Sequence, residues 1–307
     1  MTDPSSALPR DDSRLLYLES LDGSVSIPLN VDAEHLLLPG ATGLDLPPLS
    51  VVTAQTPGIP GTWLQEVDVL QRPVFLPLEF TSETSQADFF DTLAALRGVV
   101  AGWEQVTLGS TGTFRLRVTS ASGERVLTVV YSSGMEGSWG SGDGGTKWQK
   151  YGLNLIAVDP YWRAPEATQV VFTAQAPNPF ITSSAGTTYP WPRQIMSDFS
   201  VIGAGMPVTV GEIPAWPVIE VDGPSSALEV VWAGTNINVS ALTTGQTLLL
   251  KTDPRGRSAR INGQPAWSAI SMSSVISALP PGDSEIDIAG SPQRVSLTWT
   301  PGFKSAW

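Results

Sequence analysis

The run Val158-Asp159-Pro160-Tyr161-Trp162-Arg163, near the middle of the chain, divides one β-rich half from another. Asp-Pro ends a preceding strand, because proline offers no ladder N–H and biases the residue before it. Tyr161 and Trp162 then supply apolar surface to pack the strand exit against the half just completed. The chain has 307 residues, more than a single core usually organises, so two domains are expected. They are placed at residues 1–163 and 164–307, with a Pro/Ser/Thr-rich bridge over 174–193.

Charged residues make up 15% of the chain, against about 25% in an average soluble protein. The hydrophobic share of 41% is ordinary, and disorder requires the opposite combination. The 29 glycines and 26 prolines exceed average shares of about 7% and 5%, which suits many short strands joined by turns. The formal net charge of −12 opposes a grip on nucleic acid, which needs lysine and arginine against phosphate. It is compatible with DNA passing nearby, since a negative wall repels it. There are no cysteines, which removes disulfides, thiolate metal sites and cysteine nucleophiles. Met1 to Asp12 lacks the features of a secretory signal, and no run reaches the roughly 18 apolar residues of a transmembrane helix. The expectation is a protein made in a cytoplasm, without membrane insertion.

In the first half, strands are expected at Arg14–Glu19 and Ser24–Leu29, around an Asp22-Gly23 turn. Further strands are expected at Leu49–Ala54, Trp63–Leu70, Val74–Phe80, Thr113–Thr119, Glu124–Tyr131 and Trp148–Val158. One helix stands among them. Ser85 serves as N-cap, Phe89, Leu93, Leu96 and Val100 follow at helical spacing, and Gly98 is a plausible stop. In the second half, strands are expected at Met206–Val210, Trp216–Val221, Leu228–Trp232, Thr247–Thr252, Ser258–Ile261, Ser284–Ile288 and Arg294–Trp299. Turn signals separate them and no helix intervenes, the pattern of a β-sandwich. The fold class is therefore mainly β, with one α-helix in the first domain.

The catalytic inventory is thin. His35 is the only histidine, it sits beside an apolar run, and no G-x-S-x-G elbow is present. The segment Gly140 to Lys147 fails as a phosphate loop, because Lys147 follows Thr146 and precedes Trp148. Glu212, Glu220, Asp222 and Asp253 could converge as paired carboxylates, but turn and edge roles account for them more simply. No catalytic residue, metal ligand or cofactor site is assigned. The eleven tryptophans are the better lead. Large aromatics anchor subunit interfaces and also stack on sugars, while the simplest alternative is a core position. Trp139, Trp191, Trp216, Trp232 and Trp267 flank turns, and the candidate interface set is Trp139, Trp148, Tyr161, Trp162 and Trp216.

Several segments in order resemble the distal tail proteins of siphophages, those of actinobacterial phages especially. In the first half these are Leu44-Asp45-Leu46-Pro47-Pro48, Pro57-Gly58-Ile59-Pro60-Gly61, Arg72-Pro73-Val74-Phe75-Leu76-Pro77-Leu78, the helix, the glycine-rich loop and Asp159-Pro160-Tyr161-Trp162. In the second half they are Gly211 to Ile219, Asp222-Gly223-Pro224, Asn262-Gly263 and Leu279-Pro280-Pro281-Gly282-Asp283. The resemblance implies a tail-tube-like, ring-forming first domain and a galectin-like β-sandwich second domain. It implies a homo-hexameric virion protein at the distal end of the tail, with no enzymatic activity. Its partners would be the major tail tube protein, the tail hub protein and the tape-measure protein, with DNA passing through the lumen unbound. Residues 38–62 and 134–146 are long irregular stretches suited to embracing a neighbouring subunit. The alternative is recognition of a host cell-wall glycan through the second domain, and a virion-associated hydrolase is a distant third.

Overall fold

The computed structural model describes residues 14–30, 35–101, 112–136, 144–173 and 201–307. The chain divides into two compact units, Met1–Pro165 with Phe303–Trp307, and Glu166–Gly302. The last five residues thus leave the second unit and belong to the first, which the expected 164–307 domain did not anticipate. Ala306 is fully buried in the first core and donates its N–H to Leu44 O at 2.9 Å.

The first unit contains β1 (Leu15–Glu19), β2 (Ser26–Pro28), β3 (His35–Leu37), β4 (Leu49–Ala54), β5 (Trp63–Val69) and β6 (Arg72–Thr81). Helix α1 (Gln86–Val100) follows, then β7 (Thr113–Ser120), β8 (Gly123–Ser133), β9 (Trp148–Ala157) and β10 (Trp162–Arg163). The main sheet runs β2-β1-β7-β8-β9-β6-β3, and its adjacent strands pair antiparallel. Its strands alternate buried and partly exposed residues, the signature of a sheet covered on one face. In β6 this alternation is complete: Arg72, Val74, Leu76, Leu78 and Phe80 point inward, and the intervening prolines do not disturb it.

Helix α1 closes that inner face. Ser85 Oγ accepts from Asp88 N at 3.1 Å, the N-cap bond expected of serine. Phe89, Leu93, Leu96, Val99 and Val100 are buried at helical spacing and join the core built by β1, β6, β7 and β9. Gly98 does not stop the helix. It lies inside it, and Ala101 is the C-cap, because a lone glycine costs only about 1 kcal/mol against a well-buried last turn.

Among its described residues the second unit is β apart from one 3-10 turn. It contains β11 (Thr168–Thr173), β12 (Val201–Thr209), β13 (Val218–Asp222), β14 (Leu228–Trp232), β15 (Thr235–Val239), β16 (Thr247–Lys251), β17 (Ser258–Ile261) and β18 (Gln264–Pro265). A 3-10 turn at Trp267–Ala269 precedes β19 (Asp283–Ala289) and β20 (Arg294–Trp299), while β21 (Gly302–Phe303) pairs with β10 in the main sheet described above. One sheet is ordered β11-β20-β13-β16-β17-β18 and the other β12-β19-β14-β15. Inward residues of both, among them Ile219, Val221, Val230, Ile237, Leu248, Leu250, Ile286, Ile288, Val295 and Leu297, form one core. Two sheets sharing one apolar core are a sandwich. Strands β11 and β15 were not foreseen from the sequence.

Candidate assembly interface

The segment between Leu46 and Leu70 leaves the main sheet and folds back on itself. Strands β4 and β5 pair antiparallel and form their own two-stranded sheet. Leu49 lies opposite Val69 and Val51 opposite Val67, so four apolar side chains share one face. Ser50 opposite Asp68 and Val52 opposite Glu66 make the other face largely polar. A register shift between Val52 and Thr53 then brings Leu64 opposite Thr53 and Trp63 opposite Ala54. The hairpin is amphipathic, yet nothing among the described residues covers its apolar face. Leu49, Val51, Val67 and Val69 remain 55, 56, 45 and 39% exposed.

A monomer rarely shows contiguous apolar patches of this kind. Of the nineteen exposed large hydrophobic side chains among the described residues, ten lie between Leu46 and Leu70. An isolated two-stranded hairpin is at best marginally stable in water, so this one calls for a partner surface. The long irregular stretch 38–62 contains the strand expected at Leu49–Ala54, which is β4, and the tip of this hairpin.

The base of the hairpin is clamped. Arg72, the first residue of β6, is fully buried. Its Nη1 donates to the carbonyls of Gly43 (3.0 Å) and Asp45, which lie on the chain entering the hairpin. Its Nε donates to Pro160 O at 2.6 Å and its Nη2 to Lys304 O at 2.7 Å. Burial pulls the guanidinium below its ordinary pKa, and the carboxylate of Asp45 works in the opposite direction. An arginine suits this site because its rigid fork serves several carbonyls at once. Leu70 N also donates to Pro48 O at 2.9 Å, closing the neck where the two strands part.

The residues singled out from the sequence fall in different settings. Trp148 and Tyr161 are half-buried in the first unit, and Trp216 is half-buried in the second. The ammonium of Lys150 lies 5.5 Å from the Trp148 ring centroid, a cation–π geometry. Trp162 is corrected as an interface candidate: it is 0% exposed and belongs to the first core. Trp232 is likewise a core residue, whereas Trp267 is 46% exposed. Trp139 and Trp191 lie outside the described residues.

The run Asp159 to Arg163 is tied together by its own hydrogen bonds. Asp159 accepts from Tyr161 N (3.3 Å) and from Arg163 Nη2 (2.8 Å), while Pro160 O receives Arg72. His35 lies on β3, opposite Phe80. Asp222 accepts from Thr247 Oγ1 (2.9 Å) and Asp253 from Arg255 (2.9 Å), while Glu220 sits in mid-strand opposite Leu249 and Ser296. Glu212 is exposed, on the turn before Ile213. Of the glycine-rich loop, Gly140 to Asp143 lie outside the described residues. Gly145 N donates to Trp148 O at 2.8 Å, so its end is a hairpin leading into β9. Among the described residues no group of three or more acidic, histidine or cysteine side chains could hold a metal. No helix among the described residues is long and apolar enough to cross a membrane.

The second unit matches a known family. Residues 210–303 fit the SPP1_Dit family, described as the C-terminal domain of a siphovirus-type tail component. The fold as a whole is shared with the crystal structure of SPP1 Dit (gp 19.1), a protein described as a paradigm of the hub adsorption apparatus in phages infecting Gram-positive bacteria. That likeness has a TM-score of 0.59 at 14% identity and covers 95% of this chain and 99% of that one. A chain of the phage p2 baseplate, in its activated conformation with Sr, matches with a TM-score of 0.51 at 11% identity, over 94% of this chain and 98% of that one. No curated protein sequence matches significantly.

The sandwich and the matched segment place residues 210–303 with the C-terminal domain of siphovirus-type tail components.

Proposed function

We propose that this protein is the ring adaptor of its tail, six copies closing around a channel with β4 and β5 of each copy clasping the next. The observation that carries the reading is the uncovered apolar face of Leu49, Val51, Val67 and Val69. A closed ring uses a heterologous contact, in which one patch of each subunit meets a different patch of its neighbour. A projecting hairpin with one apolar face suits such a contact. Covering these four half-exposed side chains contributes on the order of 1 kcal/mol each. Six copies of such a contact outweigh any single one.

In this reading the ring joins the last tube ring to the hub and fibre-bearing proteins, near the end of the tape-measure protein. The second unit is read as a galectin-like sandwich. The role is structural and involves no catalysis. The net charge of −12 supports a channel wall that repels DNA and lets the genome slide through without specific binding.

Native mass spectrometry with negative-stain imaging of the purified protein tests the proposal. A species of six times 32.6 kDa with a central hole is expected. A different closed number, or a ring whose hairpins face solvent, would overturn it.

A further inference from the structure

The second unit carries a groove of about 320 Å³ that the adaptor role does not use. It lies along one border of the sandwich, where the Trp267–Ala269 turn and the segment after it run beside β15. Arg257, Trp267, Ile270, Ser271, Met272 and Ser274 line it. Its volume is at the lower end of the roughly 300–1,000 Å³ typical of small-molecule sites.

Three features of the groove point to one ligand chemistry. The first is an aromatic platform. Trp267 is 46% exposed although the residues just after it, Ala269 and Ile270, are buried and hold the turn. Ala269 N donates to Ala266 O at 3.1 Å and Ile270 N to Trp267 O at 3.0 Å, so the turn presents the indole from a fixed backbone. A large ring with one end apolar and one polar suits a ligand that is itself amphipathic.

The second is a guanidinium anchored at one end and unpaired at the other. Arg257 Nε donates to the carbonyl of Thr252 at 3.3 Å. Thr252 is in turn buried, with its hydroxyl bonded to Pro217 O at 2.7 Å. Among the described residues, the terminal amino groups of Arg257 have neither a carboxylate nor a carbonyl partner. In a chain of net charge −12 such a cation is conspicuous, because acidic neighbours are plentiful. Its fork is shaped to take a carboxylate or phosphate in two parallel bonds.

The third is a set of hydroxyls on a rigid segment. Ser271 N donates to Asn238 O (2.9 Å), and Asn238 N donates to Ser274 Oγ (2.9 Å). Asn236 and Val275 exchange both backbone bonds, at 3.0 and 2.8 Å. Strand β15 therefore holds the serine segment in place before any ligand arrives, which lowers the entropic cost of binding.

We infer that this groove binds a saccharide carrying an acidic group, one sugar face on Trp267, the acid on Arg257 and ring hydroxyls on Ser271 and Ser274. An apolar peptide would not need the cation. A free anion would not need the ring. The inference stands on the second unit alone and does not depend on the ring.

Saturation-transfer NMR on the full-length protein tests it. The probes are a glucuronic-acid-terminated disaccharide, glucose 6-phosphate, and the neutral disaccharide of the same linkage. Transfer to at least one acidic probe is expected, with the neutral sugar weaker; which of the two gives it identifies the anion as carboxylate or phosphate. Trp267→Ala should weaken binding by about tenfold. Arg257→Gln should bring the acidic probe down to the level of the neutral one. Met272→Glu keeps the test independent of folding, because Met272 is fully exposed, and its added charge should repel the acidic probes. Absence of transfer from all three probes overturns the site. Transfer that survives both Trp267→Ala and Met272→Glu also overturns it, and a neutral sugar bound as well as the acidic ones removes the acidic class. None of these outcomes bears on ring formation, which the native mass decides separately.

Discussion

Arg72 Nε and the carbonyl oxygen of Pro160 are 2.6 Å apart, although 88 residues separate them in the chain. The same guanidinium reaches Gly43, Asp45 and Lys304, so one buried side chain ties the hairpin neck, the end of the first β-rich half and the returning C-terminus together.

Removing that clamp should destabilise the first unit. Arg72→Met removes the buried donor that serves four carbonyls, at a cost of about 3 kcal/mol. Arg72→Lys should also be destabilising, because a compact ammonium on a flexible stem cannot serve the same four acceptors. Urea unfolding followed by circular dichroism measures both. An unchanged midpoint for Arg72→Met would show that the clamp carries no net stability.

Gly43 makes a second, independent test of the neck. Its φ is +83°, and a Cβ there would run into the backbone of Pro73 and Val74. Gly43→Ala therefore combines a left-handed backbone with a collision against β6 and should cost about 1–3 kcal/mol. The thermal midpoint is expected to fall. Gly58→Ala, at the hairpin tip with φ +81° but open space around it, should cost less.

Val51→Asp separates assembly from folding. Val51 is already more than half exposed in the monomer, so its replacement should change monomer stability by no more than about 0.5 kcal/mol. Placed on the apolar face of the hairpin, the charge should abolish the high-mass species. Size-exclusion chromatography with light scattering reads the mass, and a melt of the same sample reads the stability. A variant that still assembles would remove the hairpin from the interface.

The turn at Asp22 carries a pH signature. Hydrogen bonds from Ser20 Oγ (2.6 Å) and from Ser24 N and Oγ (3.0 and 2.8 Å) hold its carboxylate at about 2, below the ordinary 3.8. Because the folded value is depressed, the contribution is fully present above pH 3.8 and is lost as pH falls toward 2. Carbon-detected NMR titration should place the Asp22 midpoint near 2. In Ser20→Ala the midpoint should move up toward 3.8, and a wild-type midpoint already at 3.8 would refute the turn geometry.

Much of the local structure was legible because it rests on short-range physics. Ser85 announces α1, and Leu228–Trp232, Ser258–Ile261 and Arg294–Trp299 are strands whose ends coincide with those read from alternation. Strand β15, Thr235-Asn236-Ile237-Asn238-Val239, escaped because its outward face is asparagine and its apolar content is small. Gly98 reads as a stop because glycine often ends helices. Packing of Val99 and Val100 carried the helix past it.

The site was less legible. Eleven tryptophans could be counted, but counting does not separate Trp162, sealed in a core, from Trp267, presented to solvent. Alternation marked β4 and β5 as strands without saying that they pair only with each other. Nor does it say that the face carrying Leu49, Val51, Val67 and Val69 is left bare.

By itself the sequence determined a mainly β chain in two halves, one helix, no thiol chemistry and an acidic surface, since periodicity, turn residues and charge are properties of neighbours along the chain. Only the tertiary structure decided that Arg72 would meet Lys304, that the last five residues would belong to the first unit, and that an apolar hairpin and the indole of Trp267 beside Arg257 would stay uncovered. Coverage depends on which distant segments arrive at a surface, and no local pattern records that.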